Sequence, residues 1–334
     1  GVLTNPIQNA NLLINARAFS IDLTLGIFIF ILVYLVAHVI FDGSFTALYF
    51  ASQILGLLIV IIVLENAEIS LNGIKKWKQY IRIIYYSIII IYFTALLFNK
   101  VSTLNGIVSA TILKVLFPLS WFAIKRGKKT TLLEIIIFVL FHFMLGERTA
   151  VLCMVVVLVF QFIIKRISNK ASNILFWVVL TGAIAMPFVY VWLSEQPIGE
   201  MLNLYVYEHT GEYFFSGRNR IWKVIIDGMS GNWLLGLGFG NSLLADNGII
   251  YSTHNLYMYL CLNGGIIMLI LFSLFMYSIW RKIQHNASSD SSVIVGKAYI
   301  LGLLVFLDME LFLLANNIVI SLAWWITIAF IELV

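Results

Sequence analysis

Charge is what this chain has least of. Only 11% of its 334 residues are Asp, Glu, Lys or Arg, against 61% hydrophobic residues, and that is too little polar surface to cover a water-soluble globule. A polytopic membrane protein is expected. Cysteine is almost missing: Cys153 and Cys261 lie in apolar runs without metal-ligand spacing, so they read as small core residues and specify no redox compartment. The prolines Pro6, Pro118, Pro187 and Pro197 are scattered and form no linker. Pro118 and Pro187 fall inside apolar runs, where they are expected to kink helices. There is no Asp-x-Asp, no His-Glu-x-x-His and no Cys/His cluster to hold a metal. Repeats, low-complexity tracts and composition shifts are also lacking, so residues 1–334 read as one integral-membrane domain. The net charge of +5 comes in short clusters between apolar runs, which excludes a nucleic-acid partner. Because the chain starts at Gly1 and stops at Val334 within an apolar run, further residues are expected at both ends. Its first residues do not resemble a cleaved signal peptide.

What is abundant is apolar sequence in span-length runs. A membrane-crossing helix needs roughly 20 mostly apolar residues, and ten stretches qualify: about 21–41, 45–64, 80–98, 105–124, 131–146, 148–164, 173–193, 255–280, 298–315 and 317–333. The predicted fold is an all-α bundle of about ten transmembrane spans. Basic clusters mark every second connector: Lys75, Lys76, Lys78 and Arg82; Lys125, Arg126, Lys128 and Lys129; Lys165, Arg166 and Lys170; Arg281, Lys282 and Lys297. The positive-inside rule makes these connectors cytoplasmic, and it places the long loop 194–254 outside. Lys100, Arg148, Arg218, Arg220 and Lys223 remain on the outer side. An outward arginine runs against the insertion bias, so each one calls for a reason. Lys114 and Asp308 fall near the middle of their spans, and a membrane-buried charge is stable only when paired or hydrated. A structural ion pair between them is expected.

The outer loop holds the chemistry-bearing residues. Pro197 to His209 reads as an amphipathic interfacial helix, with Leu202, Tyr205 and Val206 against the bilayer surface. Ser216-Gly217-Arg218 looks like a helix start with Ser216 as its N-cap, and such a terminus suits an anion. At helical spacing Arg218 falls beside Ile221, Trp222, Ile225 and Met229, whereas Arg220, Lys223 and Asp227 gather on the opposite side. Arg220 is most simply a solvated charge. Arg218 stands where a leucine is the default, so it needs either an internal partner among Glu195, Glu200, Glu208 and Glu212 or a ligand. The glycines of Gly236-Leu237-Gly238-Phe239-Gly240 lack any βαβ context and point to a tight turn with close backbone approach. Thr253-His254-Asn255 opens the next span, where His254 shares a face with Tyr257, Met258, Cys261 and Gly265. His254 is either a structural residue or a base and hydrogen-bond donor near neutral pH. Arg148, in Gly146-Glu147-Arg148-Thr149-Ala150, starts its span at the same outer level. It either snorkels or pairs with Glu147, or it converges with Arg218 on a doubly charged ligand such as a diphosphate. His38 and His142 also sit near outer span ends.

In order and topology, Gly146-Glu147-Arg148-Thr149-Ala150, Ser216-Gly217-Arg218 with Trp222, the glycine cluster 236–240, and His254-Asn255-Leu256-Tyr257 leading to Gly264-Gly265 are similar to the O-antigen ligase and O-antigen or capsule polymerase superfamily. The patterned part covers about 146–265. The resemblance implies a glycosyltransferase of the bacterial cytoplasmic membrane that works on its outer face without a metal or other cofactor. Its donor would be an oligosaccharide joined through diphosphate to undecaprenol, and its acceptor a sugar hydroxyl. Arg148 and Arg218 would hold the diphosphate, and His254 would orient or deprotonate the acceptor. Arg220, Trp222, Gly238 and Asn255 join the substrate-binding set. A polymerase, extending a lipid-linked acceptor, is the favoured member; a ligase, transferring to lipid A core, is the alternative. Partners would be lipid-linked oligosaccharide, membrane lipid and other polysaccharide-assembly proteins. A secondary transporter or flippase is a reading of a different class, which an internal repeat and functional midplane charges would support. Lys114 with Asp308 is the one such feature. A passive scaffold in an envelope complex leaves Arg218 without a reason.

Overall fold

The computed structural model of the chain describes residues 148–308 apart from 212 and 287–289, together with parts of 26–48, 76–94 and 133–141. It is all-helical, with no strand among the described residues. Seven helices carry the argument: α1 (Arg148–Ile164), α2 (Asn169–Ser194), α3 (Pro197–Thr210), α4 (Arg218–Gly228), α5 (Leu243–Asp246), α6 (Leu256–Asn286) and α7 (Asp290–Phe306). They divide between two compact units. One contains α2 to α6 with the helical segment Ile29–His38 and the turn at Leu307 and Asp308; the other contains α1 packed against α7.

Two helices among the described residues are long and apolar enough to cross a membrane, α2 and the Leu256–Gln284 part of α6. They correspond to the spans predicted at 173–193 and 255–280, and α1, described from Arg148, ends at Ile164 as predicted for 148–164. The predicted spans at 105–124 and 317–333 lie outside the described residues, as do Lys114, Pro118, His142, Gly146, Glu147 and Glu212. Those at 21–41, 45–64, 80–98, 131–146 and 298–315 are described only in part. The ninth span departs from expectation, because α7 starts at Asp290 and ends at Phe306. Lys297, assigned from sequence to a connector, is therefore a buried residue within a helix. Asp308 lies in the turn after the helix, and 309–315 lie outside the described residues.

Each helix has a local cause. Ser168 caps α2 by accepting from Ala171 N at 3.2 Å, satisfying one of the first-turn donors. The helix then continues through Pro187. One face packs inward through Phe176, Leu180, Ala183 and Val191, while Ile174, Val178, Val189 and Trp192 point outward and suit hydrocarbon. In α3, Pro197 occupies the first turn, where its missing N–H costs nothing, and left-handed Gly211 ends the helix. Its outward apolar residues are Ile198, Met201, Leu204 and Tyr205. Leu202 and Val206, predicted to face the bilayer, are half-buried, so the exposed stripe is rotated around the helix from the predicted one.

The helix break falls in α6, at Gly265, with φ 64 and ψ −167. An interruption inside an apolar helix frees carbonyls before it and N–H groups after it, and these must find protein partners. The outer loop supplies them. Leu237 N donates to Leu262 O at 2.7 Å and Gly238 N to Asn263 O at 3.1 Å, while Ile266 N donates to Trp233 O at 2.8 Å. Tyr34 closes the set, its hydroxyl donating to Gly264 O at 2.7 Å. Gly236 has φ 77, and a Cβ there would lie 2.7 Å from backbone atoms of Asn263, Gly264 and Gly265, so both the turn and the close approach require glycine. Gly265 lies nine residues beyond the start of α6, so the loop dips about 13 Å along the helix at roughly 1.5 Å per residue. The sequence predicted backbone approach at this glycine cluster but not that its partner is a broken helix.

Candidate functional site

The amphipathic pattern of α4 places its residues as predicted. Ile221, Trp222, Ile225 and Met229 are buried in a cluster that also takes Val191 of α2 and Met258 and Cys261 of α6. Lys223 and Asp227 are exposed on the other side. The helix start differs from the prediction. Gly217, not Ser216, occupies the N-cap position at φ 75, without a side-chain cap bond. Ser216 has φ 50, and its Oγ donates to Tyr213 O at 3.0 Å. Two successive left-handed residues turn the chain so sharply that the serine hydroxyl reaches the preceding turn and not the helix terminus.

Directly behind that turn is a cavity of about 410 Å³. Arg218, Arg220, His254, Tyr251 and Ser216 provide its polar lining, with Ile221 and Ile249 as apolar wall. Among the described residues no carboxylate lines it, and its charged lining side chains are Arg218 and Arg220. Arg218 is half-buried and Arg220 exposed. Arg220, on the far face of the helix, reaches the same cavity and is not simply a solvated charge: at the first turn of a helix, long side chains from both faces can lean past the helix end. Glu195, one of the carboxylates considered for Arg218, forms an ion pair with Lys223. The hydrogen bond from Lys223 to Glu195 pushes the lysine pKa above its ordinary value.

His254 lines the cavity from the opposite chain segment. It has φ 47 and precedes the first residue of α6, Leu256. Its direction is therefore set by the turn and not by the helical face it was expected to share. Tyr257, Met258 and Cys261, the rest of that face, are buried against protein.

Three residues assigned to substrate from sequence are committed elsewhere. Trp222 is fully buried, and its Nε1 donates to Thr253 O at 2.8 Å. Asn255 is also fully buried; its Oδ1 accepts from Met258 N at 2.8 Å, capping α6, and its Nδ2 donates to Asp308 Oδ1 at 3.1 Å and to Asp308 O at 3.0 Å. Gly238 bonds the broken helix. All three build the site and do not line it. Asp308 accepts from Asn255; Lys114, its expected partner, lies outside the described residues. Arg148 is the first residue of α1, in the other unit.

Tyr190 and Tyr251 escaped the sequence reading. Tyr190 lies inside α2, where only its apolarity was legible; its hydroxyl donates to Phe214 O at 3.0 Å, and its ring lies 5.0 Å from that of Trp222. It braces the turn before Arg218. Tyr251 is an exposed loop residue with no periodic context. Among the described residues, no group of three or more His, Cys, Asp or Glu is placed to hold a metal. Comparison with protein-family models, curated proteins and solved structures gives no match.

Proposed function

We propose that the chain is a polysaccharide polymerase of the bacterial cytoplasmic membrane, with about ten spans and its site on the outer face. It transfers a glycan from an undecaprenyl-diphosphate-linked donor to a sugar hydroxyl of a lipid-linked acceptor. The observation that supports this reading best is that one cavity brings Arg218, Arg220 and His254 together. Its size falls within the range of small-ligand sites, roughly 300–1,000 Å³.

The chemistry follows from that lining. The acceptor oxygen attacks the anomeric carbon, the bond from that carbon to the diphosphate oxygen breaks, and undecaprenyl diphosphate leaves with the electron pair. Negative charge grows on the leaving diphosphate, where fixed guanidinium groups stabilise it without reorganising. Arg218 supplies that charge from a half-buried position, which strengthens it relative to a solvated cation. The acceptor hydroxyl loses its proton to His254, whose ordinary pKa lies near neutrality. Arg148, the outer-level arginine of the sequence pattern, is proposed as the second diphosphate ligand.

The test is transfer by purified protein in nanodiscs, given undecaprenyl-diphosphate-linked oligosaccharide. A product ladder that survives EDTA, disappears in Arg148→Ala, Arg218→Ala and His254→Ala, and persists in Lys223→Ala is expected. Product formed only when lipid A core is supplied would make the enzyme a ligase. Translocation of the donor without any product would make it a transporter and overturn the proposal.

A further inference from the structure

Among the described residues, Ser216 and His254 are the non-glycine residues with positive φ, and both line the cavity. A side chain in that region is held there only when its surroundings over-determine it. For His254 the surroundings are buried hydrogen bonds on both flanks. On one side, Thr253 O accepts from Trp222 Nε1, and the Thr253 hydroxyl donates to Asn255 O at 3.1 Å. On the other, Leu256 N donates to Leu307 O at 2.9 Å, and the Asn255 amide is divided between the α6 terminus and Asp308. Asp308 is itself buried. The Asn255 Nδ2 donates to two oxygens of this one residue, its carbonyl and its carboxyl. Without the carboxyl group, one N–H of a fully buried amide loses its acceptor.

We infer that Asp308 is a positioning residue: through Asn255 it fixes the turn that aims His254 into the cavity. The chemical role of His254 rests on the proposed function; the positioning rests on the hydrogen bonds alone. A purely stabilising role predicts that loss of Asp308 weakens the fold without altering His254. A positioning role predicts that His254 changes while the fold persists.

The experiment is acylation of His254 by diethyl pyrocarbonate in the full chain in nanodiscs, followed by mass spectrometry, with exposed His209 as internal reference. Asp308→Ala is expected to change the His254 rate severalfold relative to His209. Asp308→Asn keeps a side-chain oxygen acceptor for the Asn255 amide and should stay within about twofold of the parent. In the transfer assay, Asp308→Ala should lower kcat about tenfold or more with donor KM held, since misplacement by about 1 Å can cost 10²-fold, and Asp308→Asn should restore it. If Asp308→Ala does not fold, Asn255→Ser gives the same reading, because a serine hydroxyl keeps the cap acceptor and is too short to reach Asp308. An unchanged His254 rate in these variants, or equal kcat loss in Asp308→Asn and Asp308→Ala, overturns the inference. An intact acylation response in a protein that makes no product supports the positioning and overturns only the proposed reaction.

Discussion

The indole Nε1 of Trp222 donates to the carbonyl of Thr253 at 2.8 Å, in a region where both residues are buried. This bond joins α4, which carries Arg218, to the residue before His254, so the two walls of the cavity share one fixed point. Trp222→Phe removes the donor and leaves a buried carbonyl without its partner, a loss of about 1–3 kcal/mol. Unfolding by denaturant in detergent should show that loss, and transfer should fall with it. Unchanged stability would mean that water replaces the indole.

Arg218 and Arg220 should separate in kinetics although both reach the cavity. Arg218→Ala removes a half-buried cation and should lower the transfer rate by about 10²–10³. Arg220 is exposed, where solvent screens it, so Arg220→Ala should cost less than about tenfold and appear mainly in donor KM. Arg218→Lys should recover only part of the loss, since an ammonium cannot bind two oxygens as a planar guanidinium does. Equal losses in the two alanine variants would contradict the assigned difference in burial.

Gly265→Ala and Gly236→Ala test the docking of the loop into the broken helix. Each added Cβ meets backbone, which cannot yield as a side-chain tip can. Both positions also have positive φ. A loss of about 2 kcal/mol or more is expected, read as a lower unfolding temperature and faster proteolysis of the outer loop. Gly211→Ala, with open space around it but positive φ, should cost less.

The Lys223–Glu195 pair makes a prediction with a definite sign in pH. The lysine pKa is raised in the folded state by its hydrogen bond to Glu195, so the folded state holds the proton more tightly than the unfolded one. The contribution to stability is then fully present below the ordinary lysine value of 10.5 and disappears as pH rises through the raised value. The difference in unfolding temperature between the parent and Lys223→Gln should be constant from about pH 7 to 9 and shrink in stronger alkali. It should also shrink with salt, because both side chains are about half exposed.

The residues that were legible in sequence are those whose placement follows from period or topology. The loop bounds, the inward face of α4 and the amphipathic α3 all come from local patterns of apolar residues. What was illegible depends on distant partners. Ser216 looks like a cap until Gly217 turns the chain away from it. Asn255 next to a histidine resembles a ligand contact until Asp308, far along the chain, takes its amide. Gly265 reads as one position on a continuous helical face because nothing local says that the glycines at 236–240 will fill a gap in the helix. His254 was found through its company in the pattern, but its direction was assigned from a helical face it does not share.

The most direct measurement is the binding of undecaprenyl diphosphate against neutral undecaprenol by the protein in nanodiscs, for the parent and for Arg218→Ala. The expected result is a clear preference of the parent for the diphosphate, weakened by salt and lost in Arg218→Ala. Equal retention of the two lipids by the parent, or an undiminished preference in Arg218→Ala, would contradict a diphosphate site at Arg218.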